Sequence, residues 1–85
     1  MKFIICYTPI KTLAEKIIFT ILKKKLSTCI SITKNIQFIY IYKKNICKEY
    51  EYKIIITSNN ITENIIIKYI KQIKLCNIIN IIKIN

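Results

Sequence analysis

Eighty-five residues make a single small domain, in which fifteen lysines stand against four glutamates for a formal net charge of +11. The chain has no arginine for bidentate phosphate or guanine contacts, no histidine to serve as a general base and no Cys-x-x-Cys pair for structural zinc. No apolar run reaches the ~20 residues that a membrane span requires, because lysine or polar residues interrupt every stretch.

The first segment, KFIICYT, is a continuous apolar run closed by Pro9 and reads as a buried strand. TLAE over residues 12–15 then offers a capping box, Thr12 accepting from the Glu15 N–H and Glu15 reaching back to Thr12. Behind it, Leu13, Ala14, Ile17, Ile18, Ile21 and Leu22 recur with helical period, leaving Lys16, Lys23 and Lys24 outside. STCISITKNIQFIYIY, rich in isoleucine, threonine and aromatics, reads as a strand. Lys43–Ile46 form the predicted turn, with Asn45 its one residue suited to positive φ. CKEYEYKIIITS returns as the second arm of a long hairpin. A second helix follows, with Asn60 as its cap and Glu63 three residues on. LCNIINIIKIN ends the chain as a strand. The order β-α-β-β-α-β is the ferredoxin-like, α+β arrangement.

Within the return strand, Glu49 and Glu51 are half of all the acids in the chain. Alternation puts them on one face, with Tyr50, Tyr52, Ile54 and Ile56 on the other. The plainest expectation is that the two carboxylates pair with lysines across strands; the sharper one is that they belong to a site.

Hydrophobic residues make up 53% of the sequence, more than so small a domain can cover, and an oligomer is expected. Isoleucine, lysine, asparagine and tyrosine have A/T-rich codons, so the lysines, dispersed along the chain, are read as a solvated surface. No nucleic-acid partner and no membrane are expected. No signal segment is legible at the start, which predicts a cytoplasmic protein with Cys6, Cys29, Cys47 and Cys76 as reduced thiols.

Three stretches together carry a family resemblance. IICYTPIKTLAEKI is similar to the opening strand, Pro-containing loop and first helix of the CutA divalent-cation tolerance proteins. ILKKKLSTCISI resembles the end of that helix and the start of the second strand. FIYIYKKNICKEYEYKIIITS resembles the hairpin, with its tyrosine, its turn and its acids. The resemblance runs from residue 3 to about residue 82 and implies a non-catalytic homotrimer built by the long hairpin, acting in divalent-metal tolerance.

By the same resemblance, copper would be held by Cys6, at the end of the first strand, where a soft thiolate suits Cu(I). The family's His-containing turn after the second helix, followed by Pro and Tyr, is replaced here by Ile73, Lys74, Leu75 and Cys76. Cys76 could stand in for the lost ligand, giving a two-thiolate pair with Cys6. Tyr40 and Glu51 would line an inter-subunit cleft, and Cys29 falls in a structural segment packed against the helix. Residues 1–85 then form one domain without the family's C-terminal strand and helix. The alternative is a trimeric signalling or scaffold protein, like the PII regulators, whose cleft binds a small molecule or a protein partner without metal.

Overall fold

The computed structural model describes residues 1–83. Six elements follow one another: β1 (Lys2–Thr8), α1 (Lys11–Lys23), β2 (Ile30–Tyr42), β3 (Asn45–Ser58), α2 (Glu63–Lys71) and β4 (Asn77–Lys83). The four strands form one antiparallel sheet in the order β2-β3-β1-β4, and the two helices cover one of its faces. This is the predicted ferredoxin-like α+β sandwich. Residues 84 and 85 of the predicted last strand lie outside the described residues.

The core lies between sheet and helices and is made largely of one residue type. Ile4, Ile54 and Ile56 from the strands meet Ala14, Ile17 and Ile21 of α1 and Ile66 and Ile70 of α2, together with Cys6 and Cys76. Isoleucine suits this arrangement because its branched side chain is stiff and fills the pleated surface well. Helical period selects the buried positions of α1 as expected, except that Leu22 lies at the exposed rim; Phe19, off that face, is largely exposed.

Neither predicted helix cap forms. The first helix begins one residue earlier, at Lys11, with Ile10 at the cap position and no side-chain cap bond. Thr12 is therefore already inside the helix. The Ile10 N–H donates instead to Thr8 Oγ1 at 3.3 Å, so Thr8 steadies the chain as it leaves β1. At α2 the helix starts later than expected, at Glu63 with Thr62 at the cap position. Asn59, not Asn60, takes the work: its Oδ1 accepts from the N–H groups of Ile61 and Thr62, both at 2.8 Å, in a turn that leads into the helix at Glu63. Glu63 bonds to Lys2 rather than to a cap, tying the first helical turn of α2 to the edge of β1.

The hairpin turn also differs from expectation. Tyr42 and Asn45 already face each other as a strand pair, which leaves a two-residue loop of Lys43 and Lys44 at φ 49° and 67°. A two-residue loop of type I′, which matches the right-handed twist of the strands, requires positive φ at both central positions. Lacking glycine altogether, this chain meets the requirement with lysines, and Asn45 is left in the strand.

A β-bulge sits farther back in the hairpin. Thr33 pairs with Lys53 but Ile36 pairs with Glu51, so Lys34 and Asn35, the latter at φ 58°, together oppose the single residue Tyr52. The inserted residue reverses the faces. Ile30 and Ile32 point to the helices, whereas Ile36, Phe38, Tyr40 and Tyr42 point to the open face of the sheet.

Candidate functional site

The structure brings two of the predicted residues together on the helix side of the sheet. Cys6 lies in β1 opposite Ile54 on one side and Ile78 on the other, and it is fully buried. Cys76 immediately precedes β4, in a connection where Leu75 takes φ 66°. Positive φ at a leucine is uncommon and needs the surrounding structure to hold it. That turn directs Cys76 back into the same core cluster, where it is 6% exposed. Both cysteines are members of that one cluster, and both are free thiols.

Their shared environment separates their acidities. The hydrogen bond to Cys76, then burial, then the proximity of the Cys76 charge all push the Cys6 thiol far above the ordinary thiol range. Accepting from Cys6 lowers Cys76, against burial and the nearby Glu51 carboxylate, which both oppose its ionisation. The two shifts run in opposite directions, so Cys6 is the harder of the two thiols to ionise.

Tyr40 and Glu51 occupy the other face. Glu51 stands opposite Ile36, and Tyr40 opposite Cys47, farther along the hairpin. Between them is Glu49, which accepts a hydrogen bond from the Tyr40 hydroxyl at 2.7 Å. That bond, followed by burial and the Glu49 and Cys47 charges, raises Tyr40 above the ordinary phenol range. Glu51 is raised as well, first by desolvation and then by the neighbouring Glu49 charge. Among the described residues neither carboxylate reaches a lysine. The ion pair there is Lys2–Glu63; Glu49 bonds to Tyr40 in place of the expected cross-strand lysine. Nearer the sheet centre, Tyr7 meets Phe38 edge to face, with centroids 5.2 Å apart and planes at 81°. This contact depends on the bulge at Asn35, which no periodicity in the sequence discloses.

Cys29 is exposed rather than packed against the first helix. Its backbone does the structural work: its carbonyl accepts from the Thr57 N–H, from Thr57 Oγ1 at 2.9 Å and from Ser27 Oγ at 3.0 Å. Sequence reasoning passed over Ser27 and Thr57, whose hydroxyls fasten the start of β2 to the end of β3.

A single antiparallel sheet backed by two helices, with a hairpin running past the sandwich, defines a ferredoxin-like domain. The profile described as CutA1 divalent ion tolerance protein matches residues 2–85, and the chain belongs to that family. Solved structures agree on the fold. CutA1 from Ehrlichia chaffeensis superposes with a TM-score of 0.83 at 24% identity, over 98% of this chain and 79% of that one. A point mutant of CutA1 from Pyrococcus horikoshii OT3 gives 0.82 at 22%, over 100% and 84%. A protein described as the periplasmic divalent cation tolerance protein CutA from Archaeoglobus fulgidus gives 0.78 at 24%, over 99% and 84%. Among curated protein sequences none matches significantly. No helix among the described residues is long and apolar enough to cross a membrane.

Proposed function

We propose that this divalent-ion tolerance protein is a non-catalytic, cytoplasmic copper-binding homotrimer in which Cys6 and Cys76 supply the two thiolates. The observation that carries the reading is that both cysteines lie in one buried core cluster, one of them at a position where a family relative would bring another residue type. Two adjoining soft donors fit Cu(I). They do not fit zinc, which takes four ligands in structural sites, nor the oxygen-rich shells of calcium or magnesium. Among the described residues no group of three or more His, Cys, Asp or Glu could hold a cation, so two-thiolate ligation is what the donors support. When bound, copper would supply a soft Lewis-acid centre. The chain's own part is to release the thiol protons and to keep water away with the surrounding isoleucines.

The trimer is supported by apolar surface that one chain leaves uncovered. Tyr42, Ile41 and Ile46 near the hairpin tip are 59%, 76% and 74% exposed, and the open sheet face carries Phe3, Ile5, Tyr7, Phe38 and Ile55. Patches of this kind mark an interaction surface in a small domain. No nucleic-acid or lipid partner enters the reading.

An anaerobic Cu(I) titration of the reduced protein against a competing chelator tests it, with the Cys6→Ser/Cys76→Ser protein alongside. Stoichiometric binding lost in the double variant is the expected result; affinity no higher than that of a generic thiol, or unchanged in the variant, sinks it. The second reading, a PII-like trimeric signalling or scaffold protein without metal, is favoured by one observation. Tyr40, Glu49 and Glu51 form a polar group on an otherwise apolar hairpin face, suited to a small hydrogen-bonding ligand.

A further inference from the structure

Cys76 stands at a boundary. Its sulfur belongs to the core, yet the residue also lines an open cavity of about 480 Å³ at the corner between α2 and β4, with Lys71, Ile73, Lys74, Leu75 and Asn77. Cys6 lies behind it with no exposure. One thiol therefore meets the outside through a lysine-flanked opening, and the other is buried in the core cluster behind it. This is the geometry of an attacking thiol and a resolving thiol. The local backbone permits the movement that bond formation needs, because Cys76 precedes the first residue of β4 and its shift breaks no pair of the ladder. A disulfide requires the sulfurs to close to about 2.05 Å, and a residue outside the strand can supply that displacement.

We propose that Cys76 and Cys6 form an exchangeable dithiol that is oxidised by a small acidic disulfide of the glutathione class entering through this cavity. In the first step the Cys76 thiolate attacks one sulfur of the RS–SR molecule. The S–S bond breaks, one RS⁻ departs and takes a proton to become RSH, and Cys76 is left in a mixed disulfide. In the second step Cys6 loses its proton and attacks the Cys76 sulfur, expelling the other RS⁻, which is protonated in turn. Two protein thiols and one RS–SR thus give one protein disulfide and two RSH. The two electrons and two protons lost by the protein end on the two RSH molecules. Lys71 and Lys74 complement the carboxylates of such a disulfide, an attraction that fades beyond about 8–10 Å at physiological salt. The exposed Cys29 and the half-buried Cys47 have no cysteine beside them and can only be capped singly.

One consequence rests on the copper reading above: the disulfide leaves no thiolate to hold the cation, so oxidation empties the site. The exchange itself does not depend on that reading. Metal-free, fully reduced protein would be equilibrated with graded mixtures of reduced and oxidised glutathione, quenched in acid, alkylated and mapped by mass spectrometry. A Cys6–Cys76 disulfide in the wild-type chain, reversed by excess reduced glutathione, is the expected result. Cys6→Ser should accumulate glutathione on Cys76, and Cys76→Ser should leave Cys6 unmodified. Modification confined to Cys29 and Cys47, or glutathione persisting on wild-type Cys76 without a bond to Cys6, overturns the proposal. A disulfide in protein that ignores Cu(I) would leave the exchange standing and remove the copper site; tight Cu(I) binding by a chain that never forms the bond would do the reverse.

Discussion

The sandwich and the hairpin that extends from it are built from the same residues and meet opposite fates. In the sandwich, Ile54 and Ile56 are fully buried against α1 and α2. On the same strand toward the hairpin tip, Ile46 is 74% exposed, and across from it Ile41 is 76% exposed. Both regions have strand pairing, and only one has a second layer. One chain completes its fold where helices cover the sheet and leaves the hairpin apolar for a surface that it does not itself provide.

The largest expected effect sharpens that contrast. Truncating Ile54 to alanine removes packed methyl groups from an enclosed site and should cost about 2–5 kcal/mol in chemical denaturation. Truncating Ile41 should change the stability of an isolated chain by no more than about 0.5 kcal/mol, while an aspartate there should shift sedimentation toward smaller species. Equal costs at the two positions would mean that the hairpin is buried in the working protein as deeply as the core. An unchanged sedimentation profile in Ile41→Asp would take the hairpin out of the proposed assembly.

The turn at the hairpin tip gives the next largest change. Lys43 and Lys44 both hold positive φ, a conformation that costs most residues about 1–2 kcal/mol each and glycine little. Lys43 recovers part of this by placing its ammonium 5.4 Å from the Tyr42 ring centroid. Replacing the pair by Asn-Gly should stabilise the chain by about 1–2 kcal/mol, read as a higher denaturation midpoint with an unchanged slope. A loss of stability would show that the lysines contribute contacts that outweigh their backbone strain.

These positions show why some features are legible in the sequence and others are not. Element order survives because it rests on period, and the isoleucine period in α1 and the alternation in β3 are strong. The thiol pair is reachable from the resemblance, since Cys76 stands where another ligand is expected. The signals that fail are those normally written in glycine. Lys25, Asn35, Lys43, Lys44 and Leu75 all take positive φ, and only the asparagine looks suited to it. Sequence alone therefore places the hairpin loop late, on Asn45, and hides the bulge at Asn35, and with it the reversal that sets Phe38 against Tyr7. Caps fail for a related reason. Where threonines and asparagines stand close together, several residues could serve, and the local bonds that form are those to Thr8 and Asn59.

Asn59 offers a smaller and more local test. Its side chain satisfies two N–H groups ahead of α2, and alanine there should cost about 1 kcal/mol, with serine recovering part of it. Asn60→Ala should be near neutral. The opposite ranking would restore Asn60 as the cap and move the start of the helix.

The smallest effect is a pH dependence, and it bears directly on the uncovered face. The carboxyl of Glu51 is raised by desolvation and by Glu49, so the folded chain binds its proton more readily than the unfolded chain does. Stability from this group is then complete below the ordinary carboxyl range and is lost as pH climbs through the raised value. Glu51→Gln should match the wild type in acid and exceed it at neutral pH, with the gap between thermal midpoints opening between those limits. Protein concentration must be held fixed, because association also moves the midpoint. If a partner subunit covers the open face, the desolvation of Glu51 deepens and the gap should widen at concentrations where the chain assembles. A gap that ignores concentration would leave Glu51 facing water in the assembly, and the cleft proposed around it and Tyr40 would have no wall on that side.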